Sequence, residues 1–273
     1  MLRCLKQNGI KIQLQKIPTP PTFTDKFEER AYLKGRLALA FRIFGKFGFD
    51  EGVAGHITLR DPVLRDHFWV NPLGRGFTQM KSSDLILVNP LGDVVDGGSN
   101  RLLNKAAYMI HHAIHVARPD VNCAAHSHSL YGRSFCSLGR TIGMLSQDAC
   151  AFYQHLGLYQ QFRGVVLAEE EGRNIAAALG QNKACLLQNH GLLTTGETIE
   201  AAVFWFMSLE KCCHAQLLAE AAGLGSGRGG PIEIDEEDAR FTFKSVGQPG
   251  VGWFSAQPTF EAMIEEVGQV YLE

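Results

Sequence analysis

The chain has 273 residues, 45% of them hydrophobic and 20% charged, with a formal net charge of −2. That is the profile of a globular protein with enough apolar residues for a substantial core. No apolar stretch approaches the ~20 residues of a membrane-crossing helix, and no dense basic block follows the first residues, so neither a membrane nor a nucleic acid is expected as a partner.

The first residues, "MLRCLKQNGIKIQLQKIPTPP", carry Arg3, Lys6, Lys11 and Lys16 and no acid. They lack the apolar segment and cleavage site of a secretory signal and read as a basic arm over 1–22, with a mitochondrial presequence as the alternative. "FEERAYLKGRLALAFRIFGKFGF" spaces Phe27, Ala31, Leu37, Phe41 and Phe44 as one face of a helix closed by glycines. "GHITLR", "HFWVNP" and "LILVNP" are short apolar or β-branched runs bounded by Gly, Pro and Asn. They predict strands joined by turns such as "NPLG" and "PLGDVVDGG".

A second helix fits "NKAAYMIHHAIHVA" and stops at Arg118-Pro119. "VNCAAHSH" predicts a strand, "LYGRSFCSLG" a helix, and "GVVLAEEEGRNIAAALG" a strand and then a helix. "ACLLQNHGLLTTG" reads as one strand ending in a turn, and "TIEAAVFWFMSLEKCCHAQLLAEAAG" as a long apolar helix. After Gly223, "GLGSGRGG" has the composition of a linker. The segment beyond it is acidic, with Arg240 and Lys244 as its bases. Such a tail either docks on the body or a neighbouring subunit or stays solvated, and both readings stand. The organisation expected is a basic arm (1–22), one α/β domain (23–223), and a linker with an acidic extension (224–273).

Cysteines stand at positions 4, 123, 136, 150, 185, 212 and 213, an odd and scattered set without a CxxC pair. This argues for reduced thiols in the cytoplasm and against a thiolate metal cage.

Successive strand side chains alternate between faces, so His126 and His128 project on the same side of the "CAAHSH" strand. An isolated HxH is more often two satisfied strand-end histidines than a chelate. His190, in "LLQNHGLL", changes that balance, because it also ends an apolar strand. Three neutral imidazoles at two strand ends make the donor set of an open metal site, with room for water or substrate. Zinc is the first expectation; iron, manganese and cobalt also accept imidazole.

"GHITLRDP", "NKAAYMIHHAIHVARPDVNCAAHSHS" and "LLQNHGLLTTGETIEAA" together resemble the class II aldolase/adducin family over roughly residues 28–222. The resemblance implies a three-layer α/β/α sandwich around a mainly antiparallel sheet. It also implies a homo-oligomer, commonly a tetramer with sites at subunit interfaces, and metal ligands at His126, His128 and His190. Sugar-phosphate aldolases of the family use the metal as a Lewis acid and a carboxylate on the preceding helix to move the proton. A "SSE" pattern, a Thr-Gly turn and a Gly-Asn turn hold the phosphate.

Counted back from "ARPD", the carboxylate position is Ala107 and the two serines are Lys105 and Ala106. The Thr-Gly turn reads Leu73-Gly74, the Gly-Asn turn reads Gly55-His56, and a tyrosine that assists protonation falls near Gln147. Most of the residues that the family mechanism uses on a sugar phosphate are thus replaced, which puts that mechanism in doubt.

Three replacements suggest themselves, each beside a plainer structural role. His111, one turn beyond Ala107, is a candidate acid/base or a packing histidine. Asp148 and Tyr153 are candidates to reach substrate or ordinary loop residues. Lys105 is a candidate partner for a substrate carboxylate or a solvated helix start. His56 and the Gly74 turn are the remaining substrate-binding candidates. The helix pair His111 and His115 lacks an HExxH carboxylate and reads as structural. The expected function is a metal-dependent lyase acting on a small oxo- or hydroxy-carboxylate by decarboxylation or retro-aldol cleavage. The alternatives are an adducin-like binding or structural module and a non-heme iron oxygenase of an aryl oxo-acid.

Overall fold

The computed structural model describes residues 18–164, 169–227 and 229–273. The basic arm up to residue 17, Cys4 and the strand expected over 165–168 lie outside them. Helix α1 (Lys26–Lys46) starts at Asp25, whose side chain accepts the Phe27 N–H, as an N-cap should. Strands β1 (His56–Arg60), β2 (Phe68–Val70), β3 (Ile86–Val88) and β4 (Val94–Gly97) follow as an antiparallel meander. Helix α2 (Lys105–Ala117) is capped by Asn104 and leads into β5 (Cys123–Ser127) and α3 (Leu130–Cys136). Then come β6 (Leu156–Tyr159), α4 (Glu169–Leu179), β7 (Ala184–Leu187), β8 (Gly191–Gly196) and α5 (Ile199–Ser226). The chain closes with α6 (Glu236–Val246) and α7 (Pro249–Val267).

The eight strands form one sheet in the order β4-β3-β2-β1-β5-β8-β7-β6. Every neighbouring pair is antiparallel except β6–β7. Strand alternation sorts the two faces. Ile57, Leu59, Cys123, Ala125, Leu186 and Leu192 enter a large core with residues of α1, α5 and α7. Ala124, Cys185, Leu187 and Leu193 point the other way, into a smaller core with Ile110 and Ile114 of α2 and Ile175 of α4. The three-layer sandwich around a mainly antiparallel sheet is thus the observed fold. The first half of helix α5, Ile199 to Cys213, is apolar on most sides because it is largely buried, and the helix packs against the sheet, α1, α3 and α7.

Three local expectations need correcting. The segment containing "VVDGG" holds β4, an edge strand whose middle residues are exposed and so carry no apolar alternation. "ACLLQNHGLLTTG" is a hairpin, β7 and β8, turning at Gln188–His190 rather than a single strand. β6, in "HLGLYQQ", was not expected; it is four residues long and pairs parallel with β7 at the sheet edge.

The acidic extension docks on its own body. Phe260, fully buried, and Ala256 and Met263 of α7 join the main core. At the chain end, the Glu273 carbonyl accepts the Ser83 N–H at 3.1 Å and the Leu272 carbonyl accepts the Ser82 hydroxyl at 2.8 Å. The linker is correspondingly short, since α5 runs on to Ser226 before Gly227 ends it with a positive φ of 66°.

Candidate metal centre

The β5 residues facing α2 are the even ones, so His126 lies on the side of Ala124, and His128 continues that side just past the strand end. Strand β8 runs antiparallel beside β5, with His126 opposite Leu193. That register sets the β7–β8 turn against the end of β5. His190 sits in this turn behind Asn189, which adopts a left-handed φ of 57°. Gly191 follows because the turn crosses β5 closely: a Cβ there would meet the Ser127 carbonyl oxygen at 2.5 Å. The "NHG" text is therefore a backbone requirement that aims one imidazole at two others.

The ring centroids of His126, His128 and His190 lie 4.7 to 5.2 Å apart, and one ligand nitrogen from each falls within 4.8 Å of the others. His126 Nδ1–H donates to the Leu192 carbonyl at 2.8 Å, which leaves the Nε2 lone pair for the cluster; such outer hydrogen bonds commonly orient metal-bound histidines.

All three rings are held neutral. Burial pushes the His126 pKa well down, and the neighbouring His190, His56 and His128 rings add to this. His190 is lowered to about 4 by burial and by His128. His128 is lowered by burial and by the Arg133 guanidinium, with Glu51 opposing. Three uncharged imidazoles with converging lone pairs fit a divalent first-row ion, whose bonds to nitrogen are about 2.0–2.1 Å, after small side-chain adjustments. Among the described residues this is the one cluster of three metal-binding side chains.

The cluster opens into a cavity of about 720 Å³. One wall is the start of β1 with His56; α2 contributes Asn104, Ala106 and Ile110; α3 contributes Arg133; Phe162 and Val53 add apolar surface. Arg133 pairs with Glu51 at 3.0 Å, with both side chains partly exposed. Neither was singled out from the sequence, although Arg133 follows His128 by five residues on the very next helix. Glu210 was missed as well: from buried α5 its carboxylate accepts the Ser129 hydroxyl at 2.5 Å and the Tyr131 and Gly132 N–H groups at 2.9 and 2.6 Å. It thereby fixes the start of the helix that carries Arg133.

The other candidates divide sharply. His56 lines the cavity, its ring centroid 4.9 Å from that of His126. His111 is fully buried behind it, with its Nε2 2.7 Å from His56 Nδ1. Ala107 is buried, and the α2 residues on the wall are Ala106 and Ile110. Lys105 is exposed at the start of α2, and Gly74 is exposed in its turn; neither lines the cavity. Gln147 is exposed, and Asp148 lines a different groove, between α5 and α7. Tyr153 donates its hydroxyl to Glu236 at 2.8 Å, at the start of α6. Within one chain, then, His56 and the three cluster histidines share the cavity, His111 stands one layer behind, and the rest lie elsewhere.

Comparison with known proteins adds relatives to this geometry. Residues 35–217 match the model of the Class II Aldolase and Adducin N-terminal domain. A protein named decarboxylase NovR from Streptomyces niveus is 46% identical over 90% of this chain and 88% of its own length. A 4-hydroxy-3-prenylphenylpyruvate oxygenase/4-hydroxy-3-prenylbenzoate synthase from Streptomyces roseochromogenus is 46% identical, over 90% of this chain and 86% of its own. The structure of an L-fuculose 1-phosphate aldolase from Glaciozyma antarctica superposes with a TM-score of 0.85 at 50% identity, covering 92% of this chain and 96% of that one.

Proposed function

The chain belongs to the class II aldolase and adducin family, and on that premise we propose that it is a divalent-metal-dependent lyase. Its substrate would be a small oxo- or hydroxy-carboxylate, cleaved at a carbon–carbon bond by decarboxylation or retro-aldol reaction. The observation that carries this reading is the convergence of three neutral imidazoles on a cavity whose α2 wall presents Ala106 and Ile110 instead of a carboxylate.

His126, His128 and His190 would hold the ion, zinc by first preference, with iron, manganese or cobalt as alternatives. Bound there, such an ion would supply Lewis-acid chemistry toward a substrate oxygen. The chain's own residues do the rest. Arg133 offers a guanidinium fork to a carboxylate, and Phe162, Val53 and Ile110 accept an apolar or aryl group. His56 presents a ring nitrogen to the ligand. Decarboxylation depends on an electron sink more than on a base, so a wall without a proton-shuttling carboxylate favours it over aldol chemistry. The name of the relative from Streptomyces niveus agrees with this choice. His111, Asp148, Tyr153, Lys105, Gln147 and Gly74 take no direct part within one subunit in this proposal. The enzyme is further proposed to be a cytoplasmic homo-oligomer, a tetramer as in the family. Six buried free thiols support a reducing compartment, and no described helix is long and apolar enough to cross a membrane.

A second reading, an iron-dependent oxygenase of an aryl oxo-acid, is favoured by the other Streptomyces relative's name at the same identity. The two separate on 4-hydroxyphenylpyruvate and its 3-prenyl derivative, with zinc- and iron-loaded protein in sealed and aerated vessels. Release of carbon dioxide or an aldehyde without oxygen supports the lyase. Oxygen uptake restricted to the iron form supports the oxygenase. Protein that takes up no stoichiometric metal overturns both.

A further inference from the structure

The start of α2 forms the part of the cavity farthest along that helix from the histidines. Asn104, Ala106 and Ile110 line this wall in turn. His111, beside Ile110, is level with the histidine cluster: its Nε2 lies 2.7 Å from His56 Nδ1, and the His56 ring centroid lies 4.9 Å from that of His126. Asn104 comes seven residues earlier, about 10 Å away along the axis at the rise of an α-helix. The two ends differ in charge. Arg133, five residues beyond His128, is the one Lys or Arg among the described lining residues, whereas Lys105 is exposed and lines no part of the cavity.

We propose that Asn104 is a specificity-determining residue, whose side-chain NH2 donates to an uncharged oxygen at the far end of the bound molecule. The cavity then selects an aryl oxo- or hydroxy-carboxylate that carries a ring hydroxyl, over a sugar phosphate. The proposal rests on reading the cavity as the site of carbon–carbon cleavage, with the acid end of the guest at the histidines and Arg133.

The direction of the amide is set by its own hydrogen bonds. Asn104 Oδ1 accepts the Ala106 N–H at 3.1 Å and the Ala107 N–H at 3.2 Å, and only the oxygen of a side-chain amide can accept. The NH2 group therefore points its two hydrogens away from the helix start, and it donates to no described residue. Serine or aspartate would cap the helix equally well. What asparagine adds at this lining position is a spare donor.

The surroundings choose the acceptor. Ala106 and Ile110 complete the α2 wall, and Phe162 and Val53 add apolar cover. A phosphate at the α2 end would give up water without a described cation to balance its charge, which is costly. A hydroxyl oxygen needs only a donor. The separation of about 10 Å suits a rigid aryl ring set between an acid group and a hydroxyl on the opposite side of the ring.

The test is calorimetric titration of full-length zinc-loaded protein with 3-phenylpropionate and 3-(4-hydroxyphenyl)propionate. These probes differ by one hydroxyl and lack an oxo group, so they report binding apart from turnover. The hydroxylated probe should bind about tenfold more tightly, the value of one good hydrogen bond. In Asn104→Ser, which keeps the cap but is too short to reach into the cavity, the ratio should fall to near one, with zinc content and melting temperature at wild-type levels. Dihydroxyacetone phosphate should displace neither probe. Equal affinities in the wild type overturn the proposal, as does an undiminished preference in Asn104→Ser. Failure of both probes to bind overturns it too, as does tighter binding of dihydroxyacetone phosphate than of the hydroxylated probe. Protein that shows the preference and loses it in Asn104→Ser, yet cleaves no oxo-acid, upholds the Asn104 contact and sinks the lyase reading instead.

Discussion

Replacing His128 with alanine isolates the metal proposal from the rest of the fold. The ring is only partly buried and makes no hydrogen bond to a described residue, unlike His126, which is anchored to the Leu192 carbonyl. Its removal should change the melting temperature of metal-free protein by no more than about 2 °C, within the usual range of such surface-side changes. With zinc the two proteins should part. At a free zinc concentration 100 times the wild-type dissociation constant, binding adds about 2.7 kcal/mol of stability. Losing one of three imidazoles should weaken affinity by about 100-fold or more, the upper range seen even for outer-layer partners. The variant then sits near its own dissociation constant and gains about 0.4 kcal/mol. The difference, about 2.3 kcal/mol, corresponds to about 5–9 °C for a chain of this size. Differential scanning calorimetry with and without zinc, beside elemental analysis of the dialysed proteins, reads both quantities. An equal zinc-induced shift in wild type and variant would show that the cluster is not where the ion binds.

Three further outcomes follow from other parts of the molecule. Arg133→Ala should raise KM for an oxo-carboxylate probe by about tenfold, the value of one partly exposed charge-assisted contact, with zinc content unchanged; an unaltered KM removes the guanidinium from substrate binding. Asp61 is buried, yet the Arg30 fork, the Leu64 and Val63 N–H groups and the Trp69 indole outweigh that burial and hold its pKa below the usual carboxylate range. Its contribution, about 3 kcal/mol, should be complete above pH ~4, the unfolded value, and disappear as the pH falls through the folded one. Urea titrations of wild type and Asp61→Asn should therefore converge in acid, and a gap that widens there contradicts the assignment. Phe260→Ala, in the docked extension, should cost about 3–5 kcal/mol and lower a single unfolding transition; a separate, early transition would mean that the extension folds apart from the body.

Much of the site is written locally. Period-2 alternation in "CAAHSH" puts His126 and His128 on one side of a strand whatever it packs against, and "NHG" signals a turn that carries a third imidazole. The same locality limits what the loops reveal. Asp148 and Tyr153 stand in loop text, Gln147 and Gly74 at positions matched to family turns, and a loop's sequence does not say which way it faces; within one chain they lie outside the histidine cavity. Arg133 and Glu210 went unnoticed because an arginine on a short helix and a glutamate in an apolar one look like solvated or satisfied charges. Their roles depend on α3 and α5 meeting across a distance of some eighty residues in sequence.

The residues alone determined the shared face of His126 and His128 on β5, the α2 segment from Asn104 to its stop at Arg118-Pro119, and the trio of imidazoles, because these rest on backbone geometry within a few residues. Tertiary structure decided what those faces meet. The antiparallel register of β5 with β8 brings His190 to His126, that of β1 with β5 brings His56 beside them, and α2 lays His111 and His115 against Thr58. Docking of α7 buries Phe260 in the main core. Pairings between distant segments arise from packing the whole core at once, and no short window of sequence contains that information.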